Sequence, residues 1–469
     1  MSSIFTGLST ALSGIFANRT ALDTVSHNIS NVDNPNYVRQ QAIHASSTYT
    51  KLPNANLSIG TGVDVQEIRQ IRDEFLDAKY RTSISEYGYW SAKNSVFEEV
   101  QRIFNEISEN GLQSVMDEFW NGWEELSKNP DNLTLRGLLK ERAEAVVETV
   151  NHIGQQLLNT KKNLNVSIEN KVEEINNIGK EIAKLNEKIQ VVESNGMKAN
   201  DYRDTRNSLL DTLSNLVSIE YYEDDKYCVN VAIGGKYLVN GSNCSEIEAK
   251  EDGSPYVDLF WKDESTEVNI KGGEMTGLIK SRDNTIVDIT DKFNNFIKTV
   301  AEKVNTIHKT GYTLEGPLGD DFFAAPNPLE SIGVGNIKVN DNLSTLNKIA
   351  ASSEPVLDMN ERGNGKIAEK IAGIRESYLF GDMTPDEYYR EIISDLGVQA
   401  NEAATMEESQ KILISQVDER RKSISGVSLD EELADMLKYQ HSYVANTRVV
   451  NAIDEMIDII INKTGRVGR

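Results

Sequence analysis

Ser425–Ile461 reads SGVSLDEELADMLKYQHSYVANTRVVNAIDEMIDIII, and its spacing governs the reading of the whole chain. Leu429, Leu433, Met436, Gln440, Tyr443, Thr447, Val450, Asp454, Ile457 and Ile461 recur at steps of four and three. Those are the a and d steps of a helix that packs on another helix. Ser428 is positioned as N-cap, with Glu431 three residues on to complete a capping box, and neither proline nor glycine follows before Gly465. The other end of the chain carries the same pattern. In Met1–Ile29, Leu8, Leu12, Ile15, Leu22, Val25 and Ile29 fall at matching steps. Each stripe alone is too narrow and polar to make a core, but paired they could cover one another. Periodicity alone leaves a second arrangement open, two amphipathic helices lying on a globular body.

More specific residues follow the first helix. Ala21–Gln40 reads ALDTVSHNISNVDNPNYVRQ. Asn31, Asp33 and Asn34 compete with the helix for backbone hydrogen bonds, Pro35 disfavours helix at Asn34, and the chain should leave extended through Tyr37–Ile43. This run, with Asn31, Asn34, Pro35, Tyr37, Arg39 and Gln40 as its signature, resembles the N-terminal motif of the rod, hook and hook-associated proteins of bacterial flagella. The SGVSLDEE opening of the last helix resembles the matching C-terminal motif of the same family.

The chain has 469 residues, a hydrophobic share of 39% and a formal net charge of −24. That length predicts more than one domain, and that charge argues against nucleic acid or an anionic membrane as partner. The acidity is central: in the first 45 residues Arg19 and Arg39 balance Asp23 and Asp33. Near-neutral ends suit dense packing against copies of the chain, with a hydrated acidic middle outside. Cys228 and Cys244 are the only cysteines. They could pair, but two small apolar residues in a β segment is the simpler expectation. No cationic stretch with an apolar run follows the first residue, as a cleaved secretory leader would need, and no apolar run is long enough for a membrane helix.

The middle alternates between two periods. Strand-like residues at Ile59–Val65 precede a helix from near Arg72 that carries Val96, Val100, Ile103 and Ile107 and is broken at Asn110-Gly111. A shorter helix follows, with Leu112, Val115, Phe119, Trp123 and Leu126 on one face and Trp120 and Trp123 as core. After a turn at Asn129–Asn132, Leu133–Glu193 is the longest helical signal, with Ile168, Val172, Ile175, Ile182, Leu185, Ile189 and Val192 at heptad steps. In Ala199–Val217 (ANDYRDTRNSLLDTLSNLV), Arg203 and Arg206 lie beside Asp201 and Asp204, so local ion pairing is expected. The period then shortens to two around Gly234-Gly235, a hairpin, with further strands expected at Tyr256–Trp261 and Glu267–Ile270. Helix resumes after Gly272–Asp283 (GGEMTGLIKSRD) and ends at Val304–Gly316 (VNTIHKTGYTLEG). His308, at that helix terminus, is expected to cap it as a cation favoured by the dipole. Asp358, Asn360, Glu361 and Asn364 are oxygen donors but do not fall at EF-hand positions, so a structural turn is expected there. Thr384-Pro385-Asp386-Glu387 caps and starts a long helix.

The segments at 199–217, 272–283, 304–323 and 360–374 also resemble the hook-associated members of the flagellar family, whose longer members carry a further domain after Phe322. The fold expected is mainly α with a β insertion: a long helical bundle or coiled coil joined to the paired N- and C-terminal segments, plus a small outer β domain. Its parts are an N-terminal axial arm (1–60) pairing with a C-terminal axial helix (425–469), a helical body in two pieces (61–217 and 272–424) and an outer β domain (218–271). The resemblance implies a structural subunit at the junction of hook and filament, exported through the flagellar type III channel without a cleaved signal. It also implies copies of the chain in a ring, the hook protein and the next junction protein as partners, and an export chaperone on the C-terminal helix. The expected assembly residues are Leu8, Leu12, Ile15, Leu22, Val25, Ile29, Leu433, Met436, Tyr443, Val450, Ile457 and Ile461. Another rod- or hook-type subunit, or a secreted coiled-coil adhesin, is the alternative. No Walker loop, HExxH, GxGxxG or GxSxG occurs, so neither enzyme chemistry nor a cofactor or metal is expected.

Overall fold

The computed structural model of the chain describes residues 2–51, 58–104, 111–251, 253, 255–327, 329–355 and 363–463. Met1, Ile107, Asn110, Asp358, Asn360, Glu361 and Gly465, named above, lie outside the described residues. The chain opens with helix α1 (Ser2–Ser30), which is followed by strands β1 (Gln40–Ser46), β2 (Tyr49–Lys51), β3 (Ser58–Gly60) and β4 (Val63–Gln70). Antiparallel pairing of β1 with β4 and of β2 with β3 makes one long hairpin that lies against α1.

The body is helical. Helix α2 (Glu74–Phe104) starts where the Asp73 carboxylate accepts from the amides of Phe75 and Leu76. Next come α3 (Leu112–Lys128) and α4 (Leu133–Glu193), the latter 61 residues long and capped by Asn132. Gly196, at φ +80°, ends that run, and α5 (Asn200–Leu216) turns back along it. The β layer follows: β5 (Glu220–Glu223), β6 (Val229–Ile233), β7 (Lys236–Asn240) and β8 (Asn243–Cys244) form one sheet in that order. Strands β9 (Ile247–Glu251) and β10 (Val257–Trp261) form another. The strand expected at Glu267–Ile270 is reduced to one bridge between Phe260 and Glu267. Both cysteines are free thiols, Cys228 buried and Cys244 half-buried. The chain re-enters the body through α6 (Gly273–Lys280), a π-type turn at Ser281–Thr285, and α7 (Ile286–His308). A two-strand ladder, β11 (Phe323–Ala324) with β12 (Lys338–Val339), and α8 (Lys366–Ala372) lead into α9 (Pro385–Ser425) and α10 (Leu429–Asp458).

One continuous core joins helices and β layer. Trp120, Trp123, Phe119, Phe322 and Phe97 are fully buried in it, as are Ile168, Ile175 and Ile182 of α4, so the heptad face of α4 and the aromatic face of α3 lie where their spacing places them. The capping box at Thr384 forms: its hydroxyl accepts from the Glu387 amide (3.3 Å), and the Glu387 carboxylate accepts from the Thr384 amide (2.9 Å). Gly272-Gly273 needs both glycines. Both have positive φ, and a Cβ on Gly273 would stand 2.5 Å from the Leu216 carbonyl oxygen.

Two expectations are corrected inside the body. His308 is not a capping cation. It is 0% exposed between Trp123 and Phe322. Its Nδ1–H donates to the Asp320 carbonyl (2.6 Å) and its Nε2 accepts from the Ala350 amide (2.8 Å). Burial pushes the imidazole down to about 4, so it is neutral. Arg203 and Arg206 do not pair with Asp201 and Asp204. Arg203 binds Glu193 (2.6 Å) and Glu223 (2.7 Å), and Arg206 binds Glu223 (2.8 Å), tying α5 to the end of α4 and to β5. Their neighbours in sequence turn the other way, toward the terminal segments.

Candidate assembly site at the joint of the terminal helices

Helices α1 and α10 pack along one another, so the two ends of the chain are partners. The face they share differs from the expected stripe. In α1 it is a line of small residues, Ala11, Gly14, Ala17, Ala21, Thr24, Val25 and Asn28, all buried. In α10 the buried residues are Glu432 and Ile453. Close approach explains this: a Cβ on Gly14 would lie 2.8 Å from the Asn446 amide, and one on Gly7 3.5 Å from the tip of Ile453. Of the twelve expected apolar positions Val25 is buried, and Leu8, Ile15, Leu22, Ile29, Met436, Val450 and Ile457 are half-buried. Leu12, Leu433, Tyr443 and Ile461 are exposed, as are Gln440 and Asp454. The contact face of α10 is thus turned by about one residue from the apolar one. Phe5, Phe16, Leu433 and Leu437 are each about half exposed or more on the outside of the pair.

Below this pair lies a dense polar joint. Its centre is Asn28, which is 1% exposed and uses its whole amide. Oδ1 accepts from the Tyr37 hydroxyl (2.7 Å) and the Gln40 amide (3.0 Å). The amide nitrogen donates to the Gln40 carbonyl (2.9 Å) and to Glu432 Oε2 (2.9 Å). Glu432, also 1% exposed, takes the Arg39 guanidinium on its other oxygen at 2.6 Å. Arg39 reaches Glu431 as well (2.8 Å), and its amide donates to the Ser425 carbonyl (2.8 Å). That explains the missing capping box: Ser428 stands at the N-cap but accepts no hydrogen bond through its side chain, because the Glu431 carboxylate is drawn to a cation, the stronger partner.

The other half of the joint is the start of α5. Gln40 donates to Asp201 (2.9 Å) and accepts from Asn200 (3.0 Å). Asp204 accepts from the Val38 amide (3.2 Å) and from Gln70 (2.6 Å), with Arg72 at 3.6 Å. Burial pushes its carboxyl up to about 7, against the pull of the Val38 amide and Arg72. Burial likewise raises the Tyr37 hydroxyl, helped by Asp201 and Asp204. Next to it Arg421 of α9 lies over the Tyr80 ring at 3.9 Å and pairs with Asp211 (2.6 Å). Of the signature residues, Tyr37, Arg39 and Gln40 build the joint. Asn31 instead closes the end of α1 by donating to the His27 carbonyl (3.0 Å), Asn34 accepts from the Asn36 amide (3.1 Å), and Pro35 is exposed in that turn. Sequence reasoning missed Asn28, Gln70, Asn200 and Glu432. The buried carboxylate had one available cue, a lone Arg39 in a polar signature with an acidic run waiting at the far end of the chain.

The joint spends its polar groups on one another and ties both chain ends to the body. Residues 422–463 match the profile described as "Flagellar basal body rod FlgEFG protein C-terminal", and residues 97–323 match "Flagellar hook-associated protein FlgK helical domain". The terminal pair and the body therefore define an axial protein of the bacterial flagellum. The chain is 28% identical to flagellar hook-associated protein 1 of Bacillus subtilis (strain 168), covering 100% of both chains, and 24% identical to that of Escherichia coli (strain K12), covering 97% of this chain and 99% of the other. In fold it is similar to the flagellar hook junction protein FlgK from Burkholderia pseudomallei, with a TM-score of 0.64 at 12% identity over 74% of this chain and 100% of that one. Over its full length the chain is similar to flagellar hook-associated protein 1 (FlgK).

Proposed function

We propose that this chain is the structural subunit of the hook–filament junction and that copies of it assemble through the outward faces of α1 and α10. The observation that carries this is the division of labour on those helices. Their mutual contact uses alanine, glycine and asparagine, while Phe5, Phe16, Leu433 and Leu437 stay in water. Apolar side chains of that size each gain about 1.5–3 kcal/mol on full burial, and a ring of copies supplies the cover. The polar joint then sets the angle between the terminal pair and the body. The hook protein on one side and the next junction protein on the other are the partners that a junction requires, and an export chaperone on α10 would shield the same leucines before assembly. Among the described residues no helix is long and apolar enough to cross a membrane.

The test is a strain lacking the gene, complemented with wild type or with Leu433→Asp plus Leu437→Asp. Wild type should restore filaments on the hooks. The double variant should be exported, melt as wild type, and leave hooks bare. Filaments in the uncomplemented strain would refute the junction role, and filaments with the double variant would refute this interface.

A further inference from the structure

The molecule presents two β features outside its core, the outer edge of β5 and the β2–β3 ribbon. A groove of about 1210 Å³ runs between α2, α5 and residues 218–225. Strand β5 is the outermost strand of its sheet, paired with β6 alone. Its register has no bulge, and the Ser218 amide donates to the Lys271 carbonyl (3.0 Å) while the Asp224 amide donates to Cys228 (2.9 Å), both on the inner side. Backbone groups alternate along a strand, so those of Ile219, Tyr221 and Glu223 point into the groove. The rim is acidic: Glu74, Glu86, Glu220 and Asp225 are exposed. Its arginines are already committed, Arg72 to Asp77, Arg81 to Asp211 and the Tyr221 ring, and Arg203 and Arg206 to Glu223.

The ribbon is β2 with β3. Every residue of both strands is exposed, Tyr49 at 71% and Ile59 at 44%. Two strands of three residues are too short to hold themselves in water. From Ser46 to Gly62 the sequence has one charged residue, Lys51. We propose that the β2–β3 ribbon of one copy docks on the β5 edge of a second copy, adding strands to that sheet with Lys51 against the acidic rim and Tyr49 beside Tyr222. The ribbon cannot reach the groove of its own chain. Gln70 lines that groove, and Gly60, the ribbon residue nearest to it along the hairpin, is ten residues away, roughly 33 Å, with the hairpin pinned to α1 where Ser13 Oγ accepts from the Val63 amide (3.1 Å). The contact is head-to-tail, so it propagates from copy to copy. It rests on the self-assembly proposed above.

The experiment places a photo-reactive benzoylphenylalanine at Tyr49 in the full chain, expressed in cells that still grow filaments. Irradiation of the isolated hook–filament junctions should give a cross-linked dimer whose bridged peptide contains residues 218–225. Glu220→Lys plus Asp225→Lys should cut the dimer yield at least fivefold and leave the melting of the monomer unchanged. Dimers bridged to any other segment, or junctions that form with no dimer, would overturn the ribbon contact while leaving the junction role standing. Loss of the junction role is read separately, from filaments grown without the gene.

Discussion

His308 has the sharpest consequence of any single residue. With the folded imidazole at about 4 and an ordinary value near 6.5, the unfolded chain binds the extra proton first as pH falls. Its contribution is therefore intact above pH 6.5 and declines between 6.5 and 4, by about 3 kcal/mol in all. Asp204, raised to about 7 in the fold, titrates with the opposite sign over much of the same window. Its protonated form is favoured by folding, so that term is lost as pH rises toward 7. The measurement that separates them is thermal melting of Asp204→Asn against pH. The variant should show a steeper acid decline than wild type, and the His308 ring protons should not titrate above pH 5. A normal midpoint near 6.5 would show the ring to be solvated. Neither shift was legible in sequence. His308 reads as a helix-terminal cation because the aromatic cage around it comes from α3 and from Phe322, which no local spacing connects to it.

At the scale of elements, α1 and α10 show why apolar periodicity misplaced a contact. Counting leucines finds the face that can bury the most area, but two helices approach most closely where side chains are smallest. Alanine and glycine carry almost no signal in such a count. The closest point is Gly14 against Asn446, so Gly14→Val should wedge the pair apart at a cost of about 1–3 kcal/mol. Amide exchange would show it as lost protection across residues 11–28 with α4 unaffected, and unchanged protection would mean the pair is already open. Gly397, with open space around it, is the control: Gly397→Ala should leave α1 alone and stabilise α9 by about 1 kcal/mol. Where chemistry is local the sequence was a sufficient guide. Thr384-Pro385-Asp386-Glu387 states its capping box within four residues, and Gly234-Gly235 states its hairpin. Ser428 and Glu431 satisfy the same rule and fail, because Arg39 arrives from the other end of the chain.

On the scale of the whole molecule, the β layer enters and leaves between helices and shares one core with them. Its two ends meet, Ser218 hydrogen-bonded to Lys271, so residues 219–270 can be cut out and the chain closed. Yet Asn186 of α4 donates to the Val229 and Gly241 carbonyls (2.8 and 2.7 Å), Arg206 depends on Glu223, and Gly179 lies under Cys244 and Leu238. Deletion should keep the helical circular dichroism, lower the melting temperature by ten degrees or more, and raise binding of an apolar dye, since a face of α4 is laid bare. Collapse of the helical signal would mean that the sheet templates the helices. The sequence marked the insertion through its change of period, but the side chains that α4 and α5 contribute to it carry no mark of their own.

The joint also imposes a rule of arrival. Arg39 and Glu432 are 393 residues apart, and Asn28 needs Gln40 and Glu432 together before its amide is satisfied. A chain threaded out of a narrow channel can make its helices piece by piece, but it cannot close this contact until its last segment is through. A copy broken off anywhere before Ser425 keeps Asn28 and Arg39 with no carboxylate to receive them. The fold thus checks its own length, and a truncated copy would present unsatisfied polar groups at the place where the terminal pair is tied to the body.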